Sequence, residues 1–578
     1  MLKALFIVPA RGGSKGLPGK NLSPFAGIPL VGQAVRVAAE AARTLGAGSR
    51  VLCSTDDETI AAIALAWGAE VPFLRPAALA TDEARSADVV LHALDAFGDD
   101  FEAVVLLQPT SPLTAVDDVV AALRMFRETG DPVVSVCAVE HPLEWSFRID
   151  EFSRLTPFLP AEGVDRRQDA ARAVRPNGAV YVTSPARLRR DGTFWTAETR
   201  GHLMPRERSV DIDTPADLAI ARAMLTMSPP PVVDIGGRKV GVGSPCFVIA
   251  EAGVNHNGNV EMAIRLIDAA VEAGADAVKF QTFRAESLVT QGAPKAVYQL
   301  RTTDRDESQI EMIRRLELSQ DDHRVLIDHC RSVGMMFLSS PFDEASADFL
   351  EDLGVPAYKI PSGEITNHPF LMHLARKRKP LILSTGMANM QEVAGAVAAI
   401  RATAPCDLIL LQCVSNYPAD PAHVNLAAME TMGAAYGVAV GYSDHVPRNE
   451  VSLAAVARGA CVIEKHFTLD RSLPGPDHAA SLEPSELAAL VEGIRVVEQS
   501  IGNGLKVPAP SEAGTADVAR KSLVAARDLP AGTMMTVEML LAKRPGTGIS
   551  PARFNEVLGR TLSRAYAANE LLRWEDLR

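Results

Sequence analysis

Two apolar stretches, VAVGYSDH at residues 438–445 and CVIEKHFT at residues 461–468, decide the fold of the centre of this chain. Each reads as a buried strand that ends in polar or charged residues. The same pattern recurs in CFVIAEAG (246–253), AVKFQTF (277–283), MMFLSSPF (335–342), AYKIPSG (357–363), PLILSTG (380–386) and LILLQCVS (408–415). Amphipathic stretches such as 260–273, 345–353, 391–402 and 485–499 lie between them. Eight strand-then-helix units in about 265 residues predict a (β/α)8 (TIM) barrel.

The predicted strands end in residues that carry chemistry. These residues are Glu251, Lys279, Gln281, Ser340, Lys359, Ser362, Ser384, Gln412, His445, Glu464 and His466. A barrel brings the carboxyl ends of its strands to one face, so we expect these side chains to share a site. The alternative is that they are only soluble strand ends. Lys and Glu within otherwise apolar strands argue against it, because a buried charge needs a partner.

The amino-terminal part has a different pattern. The strand LKALFIVPA (2–10) is followed by SRVLCST (49–55), AVVLLQPT (103–110), PVVSVCAV (132–139) and GAVYVTS (178–184). Helical stretches such as 30–44, 57–67 and 85–97 separate most of them. This alternation predicts a parallel, three-layer, Rossmann-like α/β sheet with its ligand at the carboxyl ends of the strands.

The loop PARGGSKGLPGKN (9–21) follows the first strand directly. Its glycines allow backbone N–H groups to approach a phosphate, and Arg11, Lys15 and Lys20 supply positive charge. The loop matches neither GxxxxGK[ST] nor GxGxxG, so it indicates neither an ordinary P-loop nor a dinucleotide fold. The alternative is a solvated basic loop, but two prolines and four glycines constrain the backbone as well.

A second motif, SVDIDTPADL (209–218), places Asp211 and Asp213 on the same side of an extended segment. Paired carboxylates suit Mg²⁺, which also binds substrate phosphates. The same segment suits a turn that begins a helix, since Pro215 can occupy the first helical turn. The residues alone leave both interpretations open.

Two stretches suggest domain boundaries. SPPPVVD (228–234) is a stiff, Pro-rich linker, and residues 501–519 lose periodicity. We therefore expect a nucleotide domain at 1–227, the barrel at 235–500 and a small β-rich domain at 520–578. The last is marginal for an independent core, so we expect it to dock on another surface.

Composition limits the classes of function. The chain has 578 residues, 47% of them hydrophobic and 22% charged, with a net charge of −13. This charge argues against a nucleic-acid or anionic-membrane surface. The seven cysteines form no CxxC pair, and there is no secretory h-region or membrane-spanning apolar run. We expect a cytoplasmic enzyme that acts on small molecules.

The amino-terminal motifs, with LLQPTSPL (106–113) and RPNGAVY (175–181), resemble bacterial CMP-N-acylneuraminate cytidylyltransferases in order and spacing. The resemblance implies a domain that transfers CMP from CTP to a sialic-type sugar and releases pyrophosphate. It assigns the binding of CTP to Arg11, Lys15, Lys20, Asn21 and Gln108. It also gives Arg11 and Lys20 a catalytic role. It assigns Mg²⁺ to Asp211 and Asp213, and contacts to sugar or nucleotide to Gln108, Arg175 and Asn177.

The barrel motifs resemble N-acylneuraminate synthases. They are EAGVNHNG (251–258), KFQTF (279–283), SSPFD (339–343), YKIPSGE (358–364), LSTGM (383–387), GYSDH (441–445) and EKHFTLD (464–470). KRPGTG (543–548) resembles the antifreeze-like (SAF) domain fused to those synthases. The family condenses phosphoenolpyruvate with an open-chain N-acylmannosamine-type sugar and uses a divalent metal, often Mn²⁺. In this family the SAF domain covers the barrel of the partner subunit in a swapped dimer.

Carried over by position, the resemblance assigns each barrel residue a role. It assigns the binding of phosphoenolpyruvate to Lys279, Gln281, Lys359, Ser362 and Ser384. Glu251 is an acid/base candidate, Glu364 and Arg544 are assigned to the sugar, and Lys279, Lys359, Glu364 and Arg544 are counted as catalytic. His445 is a metal ligand, and Gln412 stands where many members have a second ligand His, which puts the metal's identity in doubt. As isolated residues, His445 and His466 would be interpreted as core histidines; their place in matched motifs at strand ends favours a ligand role for His445 and leaves the role of His466 open.

The leading hypothesis is a bifunctional enzyme that makes a nonulosonic acid and then activates it as its CMP derivative. Fusion would raise the local concentration of the intermediate, although channelling does not follow from the sequence. A second hypothesis is that one half is only a binding or regulatory module. The segment 298–318 and the KRPGTG motif resemble the neuraminic and legionaminic branches more than the pseudaminic branch, and leave N-acetylmannosamine and its 2,4-diacetamido-6-deoxy analogue both open.

Overall fold

The computed structural model of the chain describes residues 2–14, 16–46, 48–98, 100–159, 166, 170, 172–225, 230–296, 299–304 and 306–578. The chain divides into two compact units, residues 1–500 and residues 501–578. The first unit contains a three-layer α/β domain and a barrel, and the second is a small domain with short strands. The fold class predicted from the sequence is confirmed.

The amino-terminal domain is built on a six-stranded sheet. From edge to edge its strands are Arg200–Leu203, Val133–Ala138, Val174–Thr183, Ala103–Leu107, Ala4–Pro9 and Arg50–Ser54. The expectation of a wholly parallel sheet is wrong, because Val174–Thr183 runs antiparallel to both of its neighbours. The described residues between Val133–Ala138 and this strand contain no crossover helix, and a return to a neighbouring strand without one reverses direction.

Helices cover both faces of this sheet. They are Leu30–Leu45, Glu58–Ala66, Ser86–Phe97, Val116–Thr129, Pro185–Asp191 and Pro215–Leu225. Successive residues of the first strand point to opposite faces: Phe6 and Val8 belong to one hydrophobic core, whereas Leu5 and Ile7 belong to another. The two cores account for the three layers.

The barrel consists of eight parallel strands. They are β1 (Phe247–Gly253), β2 (Ala277–Thr282), β3 (Met336–Pro341), β4 (Tyr358–Ile360), β5 (Leu381–Ser384), β6 (Leu408–Cys413), β7 (Ala439–Asp444) and β8 (Val462–His466). The hydrogen-bonded ladder runs from β3 through β2, β1, β8, β7, β6 and β5 to β4, and β3 lies beside β4 where the barrel closes. All eight strands predicted for this region are present.

A helix follows each barrel strand and packs against its outer face. These helices are Val260–Glu272, Gln320–Val333, Glu344–Asp352, His368–Arg376, Met390–Thr403, Ala427–Tyr436, Glu450–Ala457 and Pro484–Ile501. The connection after β2 also holds the short helices Ala285–Leu288, Gln299–Thr302 and Gln309–Arg314. Among the described residues, no helix is long and apolar enough to cross a membrane.

The side chains of each strand alternate between the barrel interior and the surrounding helices. Ile249, Ile382 and Ile409 belong to the interior core, which also contains residues of a short antiparallel pair, Val233–Ile235 and Arg238–Val240. The first strand of this pair lies at the end of the segment expected to be a Pro-rich linker, whose residues 228 and 229 lie outside the described residues.

One buried ion pair joins β7 to β8. Asp444 and Lys465 are each 1% exposed, and Lys465 Nζ lies 2.6 Å from Asp444 Oδ2. The carboxylate also accepts hydrogen bonds from Tyr442 Oη (3.0 Å) and Ser452 Oγ (2.6 Å). With these partners neither charge is left uncompensated inside the barrel wall.

The second unit holds the antiparallel strands Ser522–Ala525 and Leu540–Lys543 around its own apolar core, which includes Leu523, Tyr566 and Leu572. Helical turns at Pro510–Glu512 and Ala513–Ala519 fall within residues 501–519, which we expected to be a linker.

We predict that Lys465→Met destabilises the barrel by about 3–5 kcal/mol, because it leaves the Asp444 carboxylate buried without its cation. Thermal unfolding followed by circular dichroism measures the effect. Lys239→Met is the matched control, since Lys239 is 66% exposed and pairs with Asp234 at the surface. That change should alter stability by less than about 1 kcal/mol. Equal unfolding midpoints for the two variants would refute the role assigned to the buried pair.

Candidate active sites

A polar cavity of about 270 Å³ lies at the carboxyl ends of the strands in the amino-terminal domain. The sequence-predicted residues that line it are Arg11, Lys20, Asn21, Gln108, Asp211 and Asp213. Lys15 lies outside the described residues. The loop and the DID motif, separated by about 190 residues in the chain, therefore meet at one site.

Direct contacts hold the loop against the DID motif. Lys20 Nζ donates to Asp213 Oδ1 and to the Ile212 carbonyl, both at 3.0 Å. A Cβ atom on Gly16 would lie 2.5 Å from the Asp213 carbonyl oxygen, so this close approach requires glycine. Asn21 is buried, and its Nδ2 donates to the Arg11 carbonyl at 2.9 Å. Asn21 thus fixes the loop from beneath.

The two aspartates differ in environment. Asp211 Oδ1 is buried with no hydrogen-bond partner among the described residues, and burial raises the pKa of this carboxyl group. The Asp213 side chain is 72% exposed. A buried carboxylate oxygen without a donor, beside a second carboxylate and a phosphate-binding loop, fits a hydrated divalent cation.

Asn177 and Arg175 do not line this cavity. Asn177 is 1% exposed, its Nδ2 donates to Ser209 Oγ at 2.9 Å, and its Oδ1 accepts from Ser135 Oγ at 2.6 Å. These bonds commit the Asn177 amide to the sheet rather than to a ligand. Arg175 is exposed and donates to the Pro176 carbonyl, although its charge acts on the Asp211 carboxylate.

The sequence analysis missed Arg75, which lines the same cavity. Its guanidinium is buried and donates to the Ser54 carbonyl at 2.5 Å, while its Nε has no partner among the described residues. Burial lowers the pKa of Arg75. An Arg in the apolar stretch PFLRPAALA (72–80) was the available signal, because such a charge must find a polar site.

A second cavity, of about 390 Å³, opens at the carboxyl ends of the barrel strands. The sequence-predicted residues that line it are Glu251, Lys279, Gln281, Lys359, Ser362, Ser384 and His445, together with the strand-end residues Ser340, Glu464 and His466. They come from all parts of the barrel sequence and meet at one face.

Two lysines and two glutamates form the buried floor of this cavity. Lys279 Nζ lies 2.8 Å from Glu251 Oε2 and 3.9 Å from Glu464 Oε2, and Lys359 Nζ lies 3.4 Å from Glu464 Oε1. All four side chains are at most 6% exposed. Lys279 also donates to Ser340 Oγ at 2.9 Å. We call Glu251, Lys279, Lys359 and Glu464 the charged floor.

The two glutamates of the charged floor have opposite pKa shifts. Burial raises the pKa of Glu251 to about 7, against the opposing effect of Lys279. Burial also opposes ionisation of Glu464, but Lys279 and Lys359 outweigh it and hold the pKa at about 2. At neutral pH Glu464 is therefore a permanent anion, whereas Glu251 can gain or lose a proton, as an acid/base group must.

Serine hydroxyls and a glycine complete an anion-binding arrangement beside the lysines. Ser384 Oγ is buried without a hydrogen-bond partner among the described residues. Ser362 Oγ accepts from the Gly386 N–H at 2.9 Å, and a Cβ on Gly386 would lie 2.3 Å from Ser415 Oγ. The free Ser384 hydroxyl next to desolvated ammonium groups suits a small, doubly charged ligand.

His445 and His466 also line the cavity, with ring centroids 5.5 Å apart. His445 Nδ1 lies 2.7 Å from the Val414 carbonyl. A carbonyl only accepts hydrogen bonds, so Nδ1 carries the proton and Nε2 keeps a lone pair for a ligand. His466 Nδ1 is buried without a partner in the described part of the chain. The ring of Tyr417, which sequence reasoning missed, lies 4.0 Å from that of His445.

Gln412 is not brought to this cavity. Ile409, Leu411 and Cys413 alternate towards the barrel interior, which turns Gln412 outward, and its Nε2 donates to the Val424 carbonyl at 2.8 Å. Cys413 lines the cavity in its place. The position of Gln412 therefore does not support its expected role as a metal ligand. The two-residue period of the strand indicates this orientation from the sequence alone.

Glu364 and Arg544, two further predicted residues, belong to different units of the chain. Glu364 is half-buried and does not line the cavity, and its carboxylate accepts a hydrogen bond from Asn367 Nδ2 at 2.7 Å. Arg544 belongs to the second unit, directly after the strand Leu540–Lys543, and is exposed.

Comparison with known proteins gives three matches in chain order. Residues 5–152 match the cytidylyltransferase family, residues 266–506 match the NeuB family and residues 520–578 match the SAF domain. The three-module organisation read from the motifs agrees with this order.

Individual relatives resemble the carboxyl-terminal part of the chain. An N,N'-diacetyllegionaminic acid synthase of Legionella pneumophila is 48% identical, over 57% of this chain and 94% of its own length. A protein of the same name from Campylobacter jejuni is 47% identical, over 57% and 98%. The structure of an N-acetylneuraminic acid synthetase from Leptospira borgpetersenii in complex with citrate is 34% identical, covers 50% of this chain and 96% of its own, and has a TM-score of 0.44.

Proposed function

The chain belongs to the NeuB family, and we propose that its two catalytic domains carry out consecutive steps in the synthesis of an activated nonulosonic acid. It is a bifunctional transferase, in which a cytidylyltransferase domain precedes a NeuB synthase domain. In the first step phosphoenolpyruvate condenses with an acylamino sugar and phosphate leaves. In the second step CMP is transferred from CTP to the new acid and pyrophosphate leaves.

The observation that carries the synthase step is the charged floor. Phosphoenolpyruvate bears a carboxylate and a phosphate, and Lys279, Lys359 and the free Ser384 hydroxyl supply donors for both. When Glu251 is protonated, the floor holds two cations against the single Glu464 anion. Its net charge then favours an anionic substrate, and this preference is strong because the groups are shielded from water.

Glu251 is the proposed acid/base group of condensation. The enol carbon of phosphoenolpyruvate attacks the sugar aldehyde, water adds at C2, and the resulting tetrahedral intermediate releases phosphate. We assign to Glu251 the proton taken from that water. Its contact with Lys279 places it beside the proposed phosphoenolpyruvate site, and its raised pKa makes it a base near neutral pH.

The nucleotide cavity supports the second step. Arg11, Lys20 and the buried Arg75 can hold the CTP phosphates, and Gln108 can orient base or sugar. The anomeric hydroxyl of the acid then attacks the α-phosphate. Asp211 and Asp213 would hold a divalent cation, for which we propose Mg²⁺, and such an ion neutralises charge on the phosphates.

In the barrel, we propose His445 and His466 as the protein ligands for a divalent cation, with water and substrate oxygens completing the shell. Imidazoles suit Mn²⁺, and such an ion would polarise the sugar aldehyde. The lone pair of His445 and the unpartnered nitrogen of His466 support this pair over the earlier choice of His445 with Gln412.

For the substrate we propose the 2,4-diacetamido-6-deoxymannose that leads to a legionaminic acid, with N-acetylmannosamine as the alternative. The names of the Legionella and Campylobacter relatives support this choice. We propose a cytoplasmic homo-oligomer; its seven free cysteines suit a reducing compartment.

The two sites should be separable by mutation. We predict that Asp211→Ala lowers CMP transfer at least about 100-fold, because the cation is lost, while phosphate release from phosphoenolpyruvate stays unchanged. Ser384→Ala should do the reverse, and it should lower kcat/KM for phosphoenolpyruvate about tenfold or more through a lost charge-assisted hydrogen bond. Separate assays of the two half-reactions test this. Loss of both activities in either variant would contradict independent sites.

Condensation should depend on the ionisation of Glu251. Below its pKa of about 7 the carboxyl is protonated and cannot accept a proton, so kcat at saturating phosphoenolpyruvate should rise with pH and level off above that value. Glu251→Gln should abolish this rise and lower kcat about 10²–10⁴-fold. The CMP-transfer activity of the same variant is the control and should keep its wild-type pH profile. An unchanged condensation profile in Glu251→Gln would exclude Glu251 as the base.

The metal assignment is tested by binding rather than by turnover. In an Asp211→Ala background, which removes the nucleotide-domain site, Mn²⁺ titration followed by electron paramagnetic resonance should report the barrel site. We predict that His445→Ala and His466→Ala each weaken Mn²⁺ binding about tenfold or more, whereas Gln412→Ala changes it less than about twofold. A weakening by Gln412→Ala equal to that by His445→Ala would overturn the assignment.

A further inference from the structure

One side of the barrel cavity is apolar, in contrast to its charged floor. Val254, Phe283, Met312, Ile313 and Leu316 line it, and together they form a separate hydrophobic cluster at the barrel mouth. We call these five residues the apolar wall. Four of them, all but Val254, come from the excursion between β2 and the helix Gln320–Val333, so they stand beyond the strand ends rather than on them.

The same excursion supplies one polar atom to the cavity. Gln309 begins the short helix Gln309–Arg314 that carries Met312 and Ile313. Its Oε1 is buried and has no hydrogen-bond partner among the described residues. A buried carbonyl oxygen without a donor costs free energy, and a ligand N–H or O–H placed there would recover it.

The chemistry of condensation orients the sugar relative to these groups. Its aldehyde carbon must reach the enol carbon of phosphoenolpyruvate, which the charged floor and Ser384 would hold at the strand ends. The rest of the open chain then extends towards the mouth. The end remote from the aldehyde, C4 to C6, therefore meets the apolar wall and Gln309.

We propose that the apolar wall and Gln309 determine which sugar the synthase accepts: one with a methyl group at C6 and an acylamino group at C4. This inference rests on the proposed function. The methyl group packs on Met312 and Ile313, and Gln309 Oε1 accepts the N–H of the C4 acylamino group. A C6 hydroxyl placed on the same wall loses its water and finds no partner there.

The expected discrimination is moderate for the wall and stronger for the amide. One apolar contact changes kcat/KM about 10–200-fold, whereas a site that hydrogen-bonds a substrate N–H rejects an analogue lacking it more strongly. Wild-type enzyme should therefore prefer 2,4-diacetamido-2,4,6-trideoxymannose to N-acetylmannosamine by at least about 100-fold in kcat/KM.

Three variants test the assignment with phosphate release as the assay. Met312→Gln keeps the side-chain length but makes the wall polar, and should reduce the preference at least about tenfold. Gln309→Met removes the acceptor and should lower kcat/KM for the diacetamido sugar about tenfold or more, with little effect on N-acetylmannosamine. Ile310→Gln is the matched control, because Ile310 packs on the same cluster without lining the cavity, and should leave the preference unchanged.

Thermal unfolding followed by circular dichroism verifies that the barrel of each variant is folded, and CMP transfer verifies that the other domain is unaffected. A wild-type preference below about tenfold, or an equal change of preference in Ile310→Gln and Met312→Gln, would overturn the inference and leave the proposed condensation intact. Absence of phosphate release with both sugars, while CMP transfer persists, would overturn the proposed synthase function and the inference with it.

Discussion

The barrel depends on one constraint: two lysines and two glutamates are removed from water at the carboxyl ends of its strands and must neutralise one another. Lys279 bridges Glu251 and Glu464, and Lys359 contacts Glu464, so no charge of the floor stands alone. Such an arrangement is costly to bury. It becomes useful when an anionic substrate enters and shares the cations, because the same desolvation that burdens the empty site strengthens every contact made there. Strand geometry positions these side chains, because alternate residues of each strand face the barrel interior.

Much of this could be predicted from the sequence because the signals are local. The recurring apolar strands ending in Glu251, Lys279 or Lys359 predicted both the barrel and a shared site, and in the structure strand alternation turns these side chains inward. The same alternation argues against Gln412 as a metal ligand, because its strand directs Cys413 into the cavity instead. At this position the family resemblance and the strand period give opposite predictions, and the structure agrees with the strand period.

Other features depend on contacts distant in the chain and left little local trace. The antiparallel direction of Val174–Thr183 follows from what connects it to its neighbour, and the burial of Asn177 follows from bonds to Ser135 and Ser209. Arg75 enters the nucleotide cavity from a loop without a recognisable motif. The pKa difference between Glu251 and Glu464 arises because two lysines and the Ser443 hydroxyl stabilise the Glu464 anion, whose charge in turn opposes ionisation of Glu251, and no pattern of residue types encodes this.

The two sites treat phosphate chemistry differently. The nucleotide cavity combines a Gly-rich loop with arginine, lysine and a carboxylate pair, whereas the barrel cavity has desolvated lysines. The most direct test of consecutive chemistry is to supply the purified 578-residue chain with phosphoenolpyruvate, the diacetamido sugar, CTP, Mn²⁺ and Mg²⁺, and to follow phosphate, pyrophosphate and products by mass spectrometry. Phosphate release followed by pyrophosphate and a CMP-linked nine-carbon acid is the predicted result. Free nonulosonic acid that accumulates without pyrophosphate, or no phosphate release from any acylaminomannose, would contradict it.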